Sequence, residues 1–305
     1  MIRPFREEDA EAVADLLRSA LETPWVATAA DVRHWERHPP RAQRASWVAE
    51  ERSAIVGWAV AQLRWEVGEE GVGEVWGAVA RGSRRRGIGA SLFDFADRHL
   101  TSIAATKVQS WSEIEEGRSF LAARDFREVR RERISSVDPR SIARDLPDVP
   151  EGFAVVPLRE VLHRARALYD VYMAGEADAP EVFEVDNISF EEWELETLET
   201  PSLDRDGSFV VVHGDRPVSI ALLEIDREHK RATNEMTATL PDFRRRGLAR
   251  LAKLASLRWA AELGVTSVLT SNDWENPRML ALNDQLGYRP LLTRGLFVRG
   301  PAAPE

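Results

Sequence analysis

The chain has 305 residues, of which 44% are hydrophobic and 30% charged, an ordinary globular composition with a length typical of about two domains. Its formal net charge of -10 argues against a general nucleic-acid binder, which needs a basic surface to displace counterions. The lack of cysteine excludes disulfides and thiolate metal sites, and no histidine spacing indicates a metal site. We see no signal-peptide core or membrane-length apolar run, and therefore expect a cytoplasmic protein.

The predicted elements follow the same order in two halves of the chain, because short motifs recur at an offset of about 160 residues. The recurring pairs are 46–49 with 208–211, 84–89 with 244–249, and 125–127 with 287–289. A stretch rich in proline and charge at 138–151 predicts a linker between the halves. We therefore predict an N-terminal domain over 1–138 and a C-terminal domain over 152–305.

Apolar periodicity predicts the elements most clearly in the second half. In chain order they are a strand at 153–158, a helix at 161–173, a hairpin at 208–213 and 218–225, a strand at 233–240, a helix at 247–263, a strand at 265–270, a helix at 277–286 and a strand at 288–298. Because a hairpin is combined with β-α-β crossovers, we predict the α/β class. Each half should form a twisted mixed sheet flanked by helices.

Each half also contains a turn rich in arginine and glycine between a predicted strand and a predicted helix. The turns comprise Arg84, Arg85, Arg86, Gly87, Ile88 and Gly89 in the first half, and Arg244, Arg245, Arg246, Gly247, Leu248 and Ala249 in the second. Glycine lets the backbone approach an anion, and a helix start supplies free N–H groups and a positive dipole end. One such turn is typical of a solvated helix start, but two in matching contexts favour pyrophosphate binding.

These turns resemble the Gln/Arg-x-x-Gly-x-Gly/Ala signature of the GCN5-related N-acetyltransferase (GNAT) superfamily. The matching residues are Arg84, Gly87 and Gly89 in the first half, and Arg244, Gly247 and Ala249 in the second. The resemblance covers nearly the whole chain. It implies a tandem GNAT protein whose turns bind the pyrophosphate of acetyl-CoA.

A second signature of the superfamily, after its fifth strand, distinguishes the two halves. Asn276 matches the asparagine that contacts the pantetheine arm or fixes the local backbone, whereas Asn283 replaces the tyrosine that often acts as general acid. In the first half, Ile114 and Leu121 stand at these two places. Because leucine cannot donate a proton, we expect a catalytically degraded first half, with a cofactor-binding or structural role, and an active second half whose general acid is unassigned.

The resemblance also implies a glutamate general base near the start of the fourth strand. Glu235 fits this place, and Glu224, one strand earlier, is the reserve candidate. Burial would raise the pKa of such a glutamate toward a value suited to deprotonating an ammonium group, although a solvated strand residue is the alternative. Backbone N–H groups near Thr237, Thr239 and Leu240 are predicted to polarise the thioester carbonyl.

The region from 175 to 203 is acidic and contains no basic residue. In the superfamily it borders the acceptor, so Glu181, Glu184, Asp186 and Trp193 are expected to surround a cationic amine. A solubilising helix face explains the same charges equally well.

The predicted function is transfer of an acetyl group from acetyl-CoA to a primary amine of a small cationic acceptor, by direct attack in a ternary complex. A non-catalytic acyl-CoA sensor or scaffold is the alternative. Neither a nucleic acid nor a membrane is an expected partner.

Overall fold

The protein, described by a computed structural model over residues 1–23, 25–142 and 147–300, is built on a mixed sheet of 12 strands. The first half contributes β1 (Ile2–Pro4), α1 (Ala10–Ala20), α2 (Ala29–Trp35), β2 (Ala45–Glu51), β3 (Ala54–Leu63), β4 (Val72–Val79), α3 (Ile88–Ser102), β5 (Lys107–Ser112), α4 (Glu115–Ala122) and β6 (Arg127–Val137). The second half contributes β7 (Phe153–Pro157), α5 (Ala165–Glu176), α6 (Phe190–Trp193), which continues as a π-helical turn (Glu194–Leu198), β8 (Phe209–His213), β9 (Arg216–Asp226), β10 (Arg231–Thr239), α7 (Leu248–Glu262), β11 (Ser267–Asp273), α8 (Pro277–Gln285) and β12 (Arg289–Arg299).

The predicted α/β class, with a mixed sheet flanked by helices, is confirmed. The predicted elements of the second half all occur, and most boundaries lie within a few residues of the expected ones. The start of α5 differs more, because a short 3-10 turn at Leu162–Arg164 precedes it. Part of the predicted linker, 143–146, lies outside the described residues.

The two halves exchange their last strands. The strand order is β1-β2-β3-β4-β5-β12-β6-β11-β10-β9-β8-β7, so β12 of the second half lies between β5 and β6 of the first. Val298 of β12 shows this directly, since it is paired with Gln109 of β5 and with Arg127 of β6. The two predicted half-sheets are therefore joined into one, which apolar periodicity cannot reveal because it identifies strands and not their partners.

Helices cover both faces of the sheet, and strand alternation divides the core accordingly. In β3, Trp58 and Val60 face α1, whereas Ala59 and Ala61 face α3. In the second half, alternate residues of β9 pack against α5 on one face and against α7 on the other. Each large side chain buried in this way contributes about 1.5–3 kcal/mol of hydrophobic stabilisation. None of the helices in the described part of the chain is long and apolar enough to cross a membrane.

Candidate active site

The two glycine turns have the same backbone conformation, and each opens a long helix. Arg85 and Gly87 have φ angles of 61° and 83°, and Arg245 and Gly247 have φ angles of 60° and 76°. No side chain caps α3 or α7 within the described structure. The first amides of each helix therefore lie uncapped at the positive end of the helix dipole, and pyrophosphate binding at them stays a prediction.

The first arginine of each turn holds the turn against the preceding strand. Arg84 donates from Nε to the Val79 carbonyl at 3.1 Å, and Arg244 donates from Nε to the Thr239 carbonyl at 3.0 Å. Arg244 also forms an ion pair with Asp178 at 2.6 Å. Arg86 also forms an ion pair, with Glu51 at 2.9 Å. The groups left to contact an anion are therefore the backbone amides and the side chains of Arg85, Arg245 and Arg246.

Beside the second turn, two parallel strands separate and leave a gap. β10 and β11 pair only as far as Thr233 and Leu269. The N–H of Leu240 donates to a β9 carbonyl at 2.9 Å, which corrects its predicted role as a donor to the thioester. Because amides alternate along an antiparallel strand, those of Thr237 and Thr239 point away from β9 into the gap. The predicted contact of these two amides with the thioester carbonyl stays a prediction.

A β-bulge in β10 positions the predicted general base. The register with β9 shifts between Asn234 and Thr237, so that Glu235 and Met236 together oppose a single residue of β9. Bulges redirect side chains and are common beside active sites. This bulge lies where β10 separates from β11, so Glu235 lies at the opening of the gap between these two strands.

Glu235 and Glu224 line one cavity of about 270 Å³, which lies between the two halves. Its walls from the second half include Tyr172, Glu176, Glu181, Trp193 and Glu196. Its wall from the first half consists of Arg64, Trp65 and Glu66. The cavity therefore brings together the two predicted catalytic glutamates, the acidic region and a segment of the first half.

The two glutamates on neighbouring strands have perturbed acidities. Burial raises the pKa of Glu224 well above its ordinary value, and the nearby carboxylates of Glu235 and Asp31 raise it further. Burial also raises the pKa of Glu235, although the Arg294 guanidinium opposes the rise and Glu132 reinforces it. Glu235 is exposed to solvent and lines the cavity, whereas Glu224 is half-buried, so the effect of burial on Glu235 is the weaker of the two. Neighbouring carboxyls with raised pKa values accept protons more readily than an ordinary glutamate does.

A third glutamate, Glu176 on α5, faces the same cavity. Burial raises the pKa of Glu176 to about 7, although a hydrogen bond with Tyr172 opposes the rise. Burial and the nearby Glu176 and Glu235 carboxyls raise the pKa of the Tyr172 hydroxyl well above its ordinary value. Neither Glu176 nor Tyr172 is among the predicted catalytic residues, although Glu176 belongs to the acidic region.

The positions of the first half that match Glu224 and Glu235 have different side-chain surroundings. β4 pairs with β3 without a register shift, so no bulge redirects Glu74, the counterpart of Glu235. Gln109 donates to Glu74 at 3.4 Å, and Gln62 stands where the second half has Glu224. The buried guanidinium of Arg44 donates to Gln62 at 3.0 Å. A network of amides and a guanidinium thus fills this place, and the catalytic degradation of the first half stays a prediction.

Asn276 and Asn283 are both engaged within the protein. Asn276 caps α8, where its Oδ1 accepts from the Met279 N–H at 3.2 Å, so it fixes the local backbone. Asn283 is fully buried, accepts from Lys253 Nζ at 2.7 Å and donates to Asn272. The place of the expected tyrosine is therefore part of an internal polar network, and the general acid stays unassigned.

The four residues expected around the acceptor separate into two groups. Glu181 and Trp193 line the cavity, and Glu181 forms an ion pair with Arg130 at 3.0 Å. Asp186 instead accepts from the N–H of Gly68 at 2.7 Å and so joins the two halves. Glu184 is exposed and does not line the cavity.

Comparisons with solved structures define the class of fold. A tandem GNAT protein from the clavulanic acid biosynthesis pathway, solved without AcCoA, matches with a TM-score of 0.75 and 21% identity, covering 99% of each chain. A GCN5-related N-acetyltransferase from Sphaerobacter thermophilus matches with a TM-score of 0.68 and 19% identity, covering 100% of this chain and 97% of that one. Saccharomyces cerevisiae N-myristoyltransferase, solved with bound myristoyl-CoA, matches with a TM-score of 0.64 and 12% identity, covering 99% of this chain and 79% of that one. The fold is that of a tandem GNAT protein.

The sequence itself matches the profile of the acetyltransferase (GNAT) family twice, over residues 10–124 and 165–288. The chain therefore belongs to the acetyltransferase (GNAT) family, and the predicted tandem resemblance is confirmed. No curated protein matches the chain. Family and fold together support acyl transfer as the general activity.

Proposed function

We propose that the chain transfers an acetyl group from acetyl-CoA to a primary amine of a small cationic acceptor, in the C-terminal half. The observation that carries this proposal is the placement of Glu235 by a bulge, beside a strand gap and inside an acidic cavity. The gap between β10 and β11 and the second glycine turn would bind acetyl-CoA, and the cavity would bind the acceptor amine.

The second glycine turn fits the diphosphate of the donor. The free amides at the start of α7 can bind its oxygens, and Arg245 and Arg246 are exposed beside them. A Cβ on Gly247 would meet no atom within 4 Å, so the approach to this turn is open. The N–H groups of Thr237 and Thr239 would then polarise the thioester carbonyl and stabilise the oxyanion that forms on attack.

Glu235 acts as the base in this proposal. An acceptor amine reaches the site as an ammonium group and must lose a proton before its nitrogen can attack the thioester carbon. A carboxylate whose pKa is raised by burial accepts that proton more readily than an ordinary glutamate does. The nitrogen attacks the thioester carbon to give a tetrahedral oxyanion, whose collapse breaks the carbon–sulfur bond, and the second proton lost from the nitrogen is taken up by the departing CoA sulfur.

The test is a CoA-release assay with a panel of primary amines. Because the chain has no cysteine, a thiol reagent detects only the released CoA. Glu235→Gln should lower kcat by about a hundredfold to ten-thousandfold, with acetyl-CoA binding retained. The matched control is Glu74→Gln, at the same place in the first half, which should keep wild-type kcat.

Two results would contradict the proposal. If the wild-type protein binds acetyl-CoA but releases no CoA with any amine, the chain is an acyl-CoA sensor or scaffold. If Glu235→Gln retains full kcat, the base lies elsewhere.

A further inference from the structure

The end of α5 packs directly onto the bulge of β10. A Cβ on Gly175 would lie 2.7 Å from the Cβ of Ala238 and 3.1 Å from the Sδ of Met236, so any larger residue would push the helix away from the strand. Met236 belongs to the bulge that also carries Glu235. Glu176 follows Gly175 at the end of α5, and its side chain lines the same cavity as that of Glu235.

Three of the six glutamates that line the cavity already have partners. The pairs are Glu66 with Arg64, Glu181 with Arg130, and Glu196 with His38. The other three form no ion pair in the part of the chain that the structure describes, and they are Glu176, Glu224 and Glu235. These three carboxyls are therefore the ones available to a ligand in the cavity.

The three unpaired carboxyls differ in how readily they ionise. Burial raises the pKa of Glu224 well above its ordinary value, which favours its neutral form. Glu235 is exposed to solvent and ionises more readily. Glu176 is half-buried, but the hydroxyl of Tyr172 donates a hydrogen bond that stabilises its ionised form and orients it. Glu176 and Glu235 are thus the two carboxyls suited to bind one cation together.

We propose that Glu176 binds the reacting ammonium group of the acceptor together with Glu235. An ammonium group has three N–H donors, and a half-enclosed cavity must provide acceptors for them. After Glu235 removes one proton, Glu176 still accepts a hydrogen bond from the nitrogen and holds it for attack on the thioester carbon. Glu176 is thus a positioning residue for a single positive group. This inference rests on the proposed function.

Binding of the amine should be coupled to the release of a proton. Burial raises the pKa of Glu176 to about 7, so about half of these carboxyls carry a proton at pH 7 in the free protein. A bound ammonium group favours the ionised form, so KM should rise as the pH falls below about 7. The ionisable groups that line the cavity with Glu176 are Arg64, Glu66, Tyr172, Glu181, Glu196, Glu224 and Glu235.

The test separates KM from kcat in the CoA-release assay with butylamine. Glu176→Gln should raise KM by about tenfold or more, because a charge-assisted hydrogen bond is lost, and should lower kcat far less than Glu235→Gln does. Its KM should also lose the rise below pH 7. Glu191→Gln removes the same charge from an exposed position of the acidic region outside the cavity, and should keep wild-type KM.

A second variant keeps the carboxyl and changes its acidity. Tyr172→Phe removes the hydrogen bond that lowers the pKa of Glu176, so the rise in KM should begin at a higher pH than in the wild-type protein. A purely structural role of Glu176 would leave the pH dependence of KM unchanged in both variants, and that result would overturn the inference.

Proton release tests the site without catalysis. In the absence of acetyl-CoA, saturating butylamine at pH 7 should release up to about half a proton more from the wild-type protein than from Glu176→Gln, as measured with a pH indicator in weak buffer. Equal release by the two proteins, or wild-type KM in Glu176→Gln while Glu235→Gln loses kcat, would overturn this inference alone. Absence of CoA release with every amine would overturn it together with the proposed function.

Discussion

One buried lysine marks the chemical difference between the two halves. Lys253 on α7 is 1% exposed and hydrogen-bonds to Asn283, at a place where α3 of the first half carries Phe93. Phe93 and Leu121, the counterpart of Asn283, belong to an apolar core cluster. Because burying a charge is costly, burial lowers the pKa of Lys253 from 10.5 to about 7.

This lysine should make stability depend on pH in a defined direction. Between about pH 7 and 10.5 the unfolded chain binds more protons at Lys253 than the folded chain, so the free energy of unfolding should rise with pH. Lys253→Met should remove that rise and raise the stability at pH 7 and below. Urea unfolding at several pH values measures this dependence of the free energy of unfolding on pH. Lys230→Met, on an exposed lysine, serves as the control, and an identical pH dependence of Lys253→Met and wild-type protein would refute the assignment.

At the scale of elements, the exchanged strands make the halves depend on each other. Without β12, the first half would expose the facing edges of β5 and β6, and without β6 the second half would lose the partner of β11. Unpaired edges of this kind promote aggregation. The predicted boundary between the halves therefore separates two sequence repeats rather than two independent sheets.

This arrangement predicts the behaviour of a divided chain. Residues 1–138 expressed alone should be insoluble or should show no cooperative unfolding. A full-length protein cleaved at a protease site inserted near Asp148 should elute as one species in size-exclusion chromatography, because β6 and β12 still hold the fragments together. Two folded fragments that separate without denaturant would contradict the exchange.

For the whole molecule, the sequence predicts what is local and misses what depends on distant contacts. The recurring motifs identify the tandem order and the two glycine turns, and the place of Glu235 in β10 follows from its position before the second turn. Local patterns indicate the two strands of a hairpin, but they do not show which strands far apart in the chain become neighbours. The exchange of β6 with β12, and the wall formed by residues 64–66, were therefore not predicted.

The composite cavity connects the first half to the predicted active site of the second. Its own counterpart of the site is filled by Arg44, Gln62 and Gln109, yet it supplies one wall of the cavity that serves the second half. Its glycine turn keeps the same backbone as the second turn. Acetyl-CoA binding at each turn must therefore be measured separately, with one variant substituted in the first turn and another substituted in the second.

Acyl transfer by the second half requires its glycine turn to bind an acyl-CoA, and calorimetric titration with acetyl-CoA tests this most directly. A Cβ at position 247 would meet no atom within 4 Å, but a β-branched valine strongly disfavours the φ of 76°, so Gly247→Val should strain the backbone of the turn. We predict that wild-type protein binds acetyl-CoA and that Gly247→Val loses the site that supports transfer, whereas Gly87→Val keeps it. If the wild-type protein does not bind acetyl-CoA, or if the titration of Gly247→Val is unchanged, the second turn is not the acyl-CoA site.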